Sequence, residues 1–155
     1  MATAFSLTGS LRLTPKIVDT LNLTDVTDTA SINYAVAMSD GAAADQANRY
    51  WKDVVTIAAS QTATIDLEDL ELNVFTGTGT LNLASQKIAL LRNLSATTAV
   101  TVALGTSLTA VLAPGGVVYA TNPSAAGWAE DDLTITNAGA AAVDVEIHLV
   151  GVKAT

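Results

Sequence analysis

The chain carries a single histidine, His148, within Val143-Asp144-Val145-Glu146-Ile147-His148-Leu149. A base beside carboxylates is the kernel of a Ser-His-Asp relay. That relay requires the imidazole to sit in a cleft, oriented by a buried carboxylate. Here the strict alternation places His148 with Asp144 and Glu146 on the polar face of a strand. No Gly-x-Ser-x-Gly elbow accompanies it, and cysteine is absent. His148 therefore reads as an exposed structural residue, no catalytic residue is assigned, and the chain reads as a non-enzyme.

The carboxylates form three groups: Asp19/Asp25/Asp28, Asp66/Glu68/Asp69/Glu71 and Glu130/Asp131/Asp132. Calcium takes six to eight oxygens from a folded loop, and none of these groups has EF-hand spacing. A glycosidase needs two acids facing each other across a cleft, which adjacent surface acids do not supply. They read as solvated surface, with no metal and no cofactor expected. Phe75-Thr76-Gly77-Thr78-Gly79-Thr80 lacks the lysine and following helix of a phosphate loop, so it reads as a Gly-rich turn. The aromatic residues are more suggestive. Arg49, Tyr50 and Trp51 lie at a loop-to-strand boundary, and Trp128 precedes an acidic turn. Exposed Trp and Tyr anchor interfaces or stack on sugars, so these four form the candidate interaction surface. The alternative is that each Trp caps the core at one end.

Elements that position these residues follow from period-two alternation. Strands are expected through Ile32/Tyr34/Val36/Met38, Ala63/Ile65/Leu67, Val100/Val102/Leu104 and Val143/Val145/Ile147/Leu149. Turn chemistry divides them at Thr8-Gly9-Ser10, a hairpin turn by this reading, and at Thr76–Gly79, Pro114-Gly115-Gly116 and Asn137–Ala140. Gly41–Trp51 reads as an ordered loop, and Asp66–Leu72 has room for one helical turn. Residues 1–30 are expected as an N-terminal arm or an edge hairpin. No internal repeat is evident. Short strands at this spacing predict an all-β, antiparallel β-sandwich or jelly-roll-like single domain over residues 1–155.

The net charge of −8 and scattered basic residues argue against nucleic acid, whose phosphates need clustered Lys and Arg, and against an anionic membrane. Met1–Phe5 does not read as a signal peptide. Absence of cysteine permits folding in a reducing cytoplasm. No charge falls between Arg92 and Glu130. Polar residues interrupt that run too often for a spanning helix, and charge depletion of this kind marks interface cores.

Several pieces occur in a telling order. They are Ser39-Asp40-Gly41, Asp45-Gln46-Ala47-Asn48-Arg49-Tyr50-Trp51, Val54–Ala59, Thr64–Leu67, Lys87–Leu94, Leu112–Gly116, Leu133–Asn137 and Val145–Gly151. Together, over residues 32–152, they resemble a family of tailed-bacteriophage virion structural proteins. More loosely, they resemble β-sandwich proteins that decorate or cement phage heads. The resemblance implies a virion protein made in the bacterial host cytoplasm, homo-oligomeric with a trimer favoured. Its partner would be the major capsid protein or another virion protein. A tail, baseplate or fibre position and a carbohydrate-binding module are the alternatives.

Overall fold

The computed structural model describes residues 6–13, 16–21, 24–29, 32–74 and 77–153, with side chains described for 6–8, 35–71 and 80–153. Every regular element among them is a β-strand. The chain separates into two compact units, residues 6–38 and residues 39–155.

In the first unit, β1 (Ser6–Leu13) runs straight through Thr8-Gly9-Ser10, where a hairpin turn was expected. Threonine and serine around one glycine keep enough strand preference to hold an extended backbone. β2 (Lys16–Leu21) and β3 (Thr24–Thr29) form an antiparallel hairpin, Lys16 opposite Thr29. β4 (Ile32–Asp40) follows the predicted alternation. Of that face, Ile32 and Tyr34 lie outside the described side chains, as do Asp19, Asp25 and Asp28.

The second unit is an antiparallel β-sandwich. After a bend at residues 41–45, β5 (Gln46–Ala47) and β6 (Arg49–Ile57) follow. The loop expected over Gly41–Trp51 is therefore shorter, because Arg49-Tyr50-Trp51 begin a strand that pairs with Gly151, Val150 and Leu149. β7 (Gln61–Asp66) leads through a turn into β8 (Leu70–Val74), which pairs with β9 (Gly77–Leu81). Asp66–Leu72 therefore makes no helical turn: the Asp66 carboxylate accepts the Glu68 N–H at 2.8 Å and bends the chain directly into the next strand. Gly77 and Gly79, expected in a turn, are strand residues opposite Val74 and Leu72, and Thr76 lies outside the described residues.

The remaining strands are β10 (Ser85–Asn93), β11 (Val100–Leu104), β12 (Leu108–Leu112), β13 (Val117–Thr121), β14 (Asp132–Asn137) and β15 (Val143–Val152). They form two four-stranded sheets, ordered β13-β10-β15-β6 and β12-β11-β14-β7. Inward side chains meet between them. Trp51, Ile57, Ala89, Leu91, Val145, Ile147 and Leu149 come from the first sheet, and Val100, Val102, Leu104, Leu133 and Ile135 from the second. Leu67, Leu70, Leu81 and Leu83, around β8 and β9, join the same core.

Strands that cross between the sheets leave backbone groups without ladder partners, and buried side chains take them up. Asn93 ends β10. Its amide nitrogen lies 2.8, 3.1 and 3.1 Å from the carbonyls of Thr98, Leu112 and Ala113, while its oxygen accepts the Ser95 N–H. Asn137 ends β14 and does the same with Ile57, Ala58, Ala141 and the Gly139 N–H. The two sites are topologically equivalent. Exchange β10 with β14, β11 with β15, β12 with β6 and β13 with β7, and each sheet order becomes the other read in reverse. That internal correspondence was not evident in sequence, where only the asparagine and small residues recur.

A third crossing, from β13 to β14, is held by Gln86 and Lys87. The Gln86 amide donates to Leu83 O and Glu130 O, and the Lys87 ammonium donates to Ser124 O and Ala125 O. Burial pushes the Lys87 pKa down, partly offset by the Asp45 carboxylate.

Replacing Asn137 with Ala removes its bonds to three carbonyls and one N–H at once, and of these Ala58 O keeps the Gln61 N–H. A loss of at least about 2 kcal/mol is expected from unsatisfied buried groups, read from the urea midpoint. Asn137→Ala within about 0.5 kcal/mol of the parent, the range of ordinary surface changes, would refute the clamp.

Candidate functional site

The outward face of the first sheet is built in rows set by register. Val54, Glu146, Arg92 and Val117 form one row, Lys52, His148, Leu90 and Tyr119 the next, and Tyr50, Val150, Ile88 and Thr121 the third. Val150 and Ile88 are buried. They lie at the end where Asp45 N–H donates to Pro123 O and Asn48 N–H to Gly151 O.

A continuous hydrogen-bond chain crosses the first two strands of this face. The Tyr50 hydroxyl donates to His148 Nδ1 at 2.7 Å, and His148 Nε2–H donates to Glu146 Oε1 at 3.1 Å. The Lys52 ammonium pairs with the same carboxylate oxygen at 3.1 Å. Tyr50 and His148 rings stand 6.0 Å apart and tilted by 35°. The Lys52 hydrogen bond, and then that of His148, hold the Glu146 carboxyl below its ordinary value of 4.5. Chemically this is a relay with a phenol at its outer end, lying on an open sheet surface. Its effect there is to fix Tyr50 and Lys52 in place and to neutralise charge locally.

Around the relay the face is unusually apolar. Of the five exposed large hydrophobic residues among those described, Tyr50, Val54 and Val117 stand on it, and Leu94 extends it past Arg92; all four are 42–54% exposed. Aromatic residues and arginine are enriched at interface centres, and here Glu146 is paired with Lys52 while Arg92 stands exposed beside it.

The outward face of the second sheet differs. Thr62, Thr136, Thr101 and Val111 form one row, and Thr64, Thr134, Ala103 and Thr109 another. None is charged. The uncharged run from residue 93 to 129 is thus split, with β11 and β12 in the second sheet and β13 in the first. Beside it, Glu130 accepts from Ser107 Oγ at 2.5 Å and Thr106 Oγ1 at 3.2 Å. These bonds lower its pKa, the Ser107 one most.

The four residues singled out in sequence do not share a surface. Tyr50 and Trp51 are successive strand residues and point to opposite faces. Trp51 is buried in the core, its indole N–H donating to Glu71 O at 3.1 Å. Trp128 packs half-buried against the core, paired by its backbone with Gln86. Gly127 makes that pairing feasible: its φ is +59°, and a Cβ there would collide with Ser85 Oγ and Gln86 O. Arg49 is half-buried and donates to Asn48 O. Tyr50 alone joins the apolar face. Val54, Leu94 and Val117 were missed. Their signal, an apolar residue at the outward position of an edge or terminal strand position, becomes readable only once the register is known.

Comparison with known proteins found no match to a protein family, to a curated protein or to a solved structure.

A depressed Glu146 pKa means its contribution to stability is present above about 4.5 and is lost as pH falls through the lowered folded value. Lys52→Met removes the larger cause, so the Glu146 titration midpoint should rise towards 4.5 in a carboxyl carbon NMR titration. An unmoved midpoint would mean that the pair seen at 3.1 Å has no weight in solution.

Proposed function

We propose that this chain is a non-enzymatic structural protein of a tailed-bacteriophage virion, which decorates the head and cements neighbouring capsid subunits as an oligomer. The observation that carries the reading is the first sheet's outward face. It concentrates Tyr50, Val54, Leu94 and Val117 on one side of the sandwich, with Glu146 paired to Lys52 and hydrogen-bonded by His148. Val54 and Val117 stand on the two edge strands with Glu146 and Arg92 between them, so the apolar residues frame a charged centre, and exposed apolar groups rimmed with polar ones suit a partner's surface. The ordered resemblance along residues 32–152 supplies the virion context.

Cementing would work by burial. Each oligomer bridges adjacent capsid subunits, and opening the shell must re-expose the buried apolar area, at roughly 25 cal/mol per Å². Repetition over a symmetric shell multiplies a modest contact. The net charge of −8 keeps the free protein soluble at high copy number. For a carbohydrate-binding module, burial of Trp51 leaves Tyr50 as the exposed aromatic on the described strand.

Native mass spectrometry of the purified chain should give a discrete closed oligomer, a trimer by this reading. Particles lacking the protein should release their genome at lower temperature than complete ones. Adding back the Val54→Asp/Val117→Asp double variant should fail to restore them, although both positions are exposed and the variant should fold. Equal thermal stability of particles with and without the protein overturns the cementing role. Labelling at the tail of intact particles would move the chain to a tail or baseplate position.

A further inference from the structure

The sandwich has an open side where β6 and β7, the edge strands of the two sheets, diverge from the turn at Ala58–Ser60. Between them lies a groove of about 250 Å³. Its apolar lining is Trp51, Val55, Ile65 and Leu70. Its carboxylates are Asp53 on β6, Asp66 at the end of β7, and Asp69 and Glu71 at the start of β8. Among the described residues neither edge strand has a second ladder partner, and on β6 the Asp53 carboxylate accepts the Val54 N–H at 2.8 Å.

Asp53 is the unusual residue. It shares the inward side of β6 with Trp51, Val55 and Ile57, where an apolar residue is expected. An inward-pointing charge on an edge strand discourages edge-to-edge pairing. Copies of this acidic chain are turned away by that charge, but a strand bearing cations is not. Repulsion of one class of partner and attraction of another by the same group is a common basis of specificity.

We infer that the β6/β7 groove receives an extended, lysine- or arginine-bearing segment of a partner protein. The segment adds as a strand to the open edge, with main-chain hydrogen bonds supplying affinity and alternate side chains supplying specificity. One set of side chains packs on Val55, Ile65 and Leu70. The cations stand on that same groove-facing set, two residues from an apolar side chain, because Asp53 and Val55 share the inward side of β6, and they meet Asp53, Asp66, Asp69 and Glu71. The lining contains four carboxylates and no cation, so the electrostatic complement is unambiguous. The groove faces the opposite side of β6 from Tyr50 and Val54, so this inference does not depend on the virion reading.

The test uses the full chain, labelled with ¹⁵N, and a short capped Val–Lys peptide in which a threonine separates each Val from the next Lys, so that both face the groove. A Val–Glu peptide of equal length and a neutral oligosaccharide serve as controls. Expected is saturable binding that shifts the Trp51 indole N–H and the β6 and β7 amides, weakened by salt. Asp53→Asn with Glu71→Gln should reduce affinity roughly five- to tenfold, the scale of two exposed ion pairs. Asp144→Asn, on the first sheet's outward face, should leave it unchanged. Both positions are exposed, and an unchanged amide spectrum of the free double variant verifies its fold. Equal weakening by Asp144→Asn, shifts spread over the surface, or no saturable binding overturns the proposal. So does a Trp51 shift produced by the oligosaccharide and not by the Val–Lys peptide.

Discussion

The sandwich depends on how its crossing points satisfy backbone carbonyls. A strand that leaves one sheet and enters the other carries peptide groups past the edge of both ladders. Among the described residues the buried polar side chains are Gln86, Lys87, Asn93 and Asn137, and all four donate to such carbonyls. Each is costly to bury alone, and each is compensated because its partners are equally in need. Asn93 and Asn137 also accept an N–H two residues on, so one side chain both closes its own loop and fastens a neighbouring strand end. The two-fold correspondence of the strand orders gives this device the same position in each half.

With the crossings fixed, the inward faces can be almost wholly aliphatic. Small, branched residues pack between sheets without aromatic bulk, and Trp51 is the one large exception buried there. The outward faces are then free to diverge. One pairs apolar residues with a locally neutralised relay, the other is dominated by threonine with Asp66 and Asp132 opposite each other at one end, and the open edge concentrates carboxylates. A net charge of −8 is therefore far from uniformly spread. Exposed ion pairs such as Lys52–Glu146 contribute little to stability. Their consequence lies in what each face can meet without paying for unpaired charge.

Alternation in Val143–Leu149 was sufficient to place His148 on the outward face of its strand, because side-chain direction in a strand has a period of two and needs no partner to define it. The same logic identified the strands through Ala63–Leu67 and Val100–Leu104 and the turns at Pro114–Gly116 and Asn137–Ala140. It failed where turn residues were embedded in strand. Thr8-Gly9-Ser10 and Gly77–Gly79 stay extended, since glycine permits a turn without requiring one. Asn93 and Asn137 looked like ordinary loop asparagines, for their partners lie up to 80 positions away.

Residue order alone determined that this chain is all-β, acidic, free of cysteine and poor in catalytic groups, because those properties are local or additive. Tertiary structure decided which face each strand shows to which neighbour. Tyr50 and Trp51 are adjacent in the chain, yet one meets His148 on the surface and the other Glu71 behind the sheet. The uncharged run from 93 to 129 reads as one patch, yet its strands belong to both sheets. Register and sheet order are set by long-range pairing, and no local pattern encodes which distant strand will supply the other half of a site.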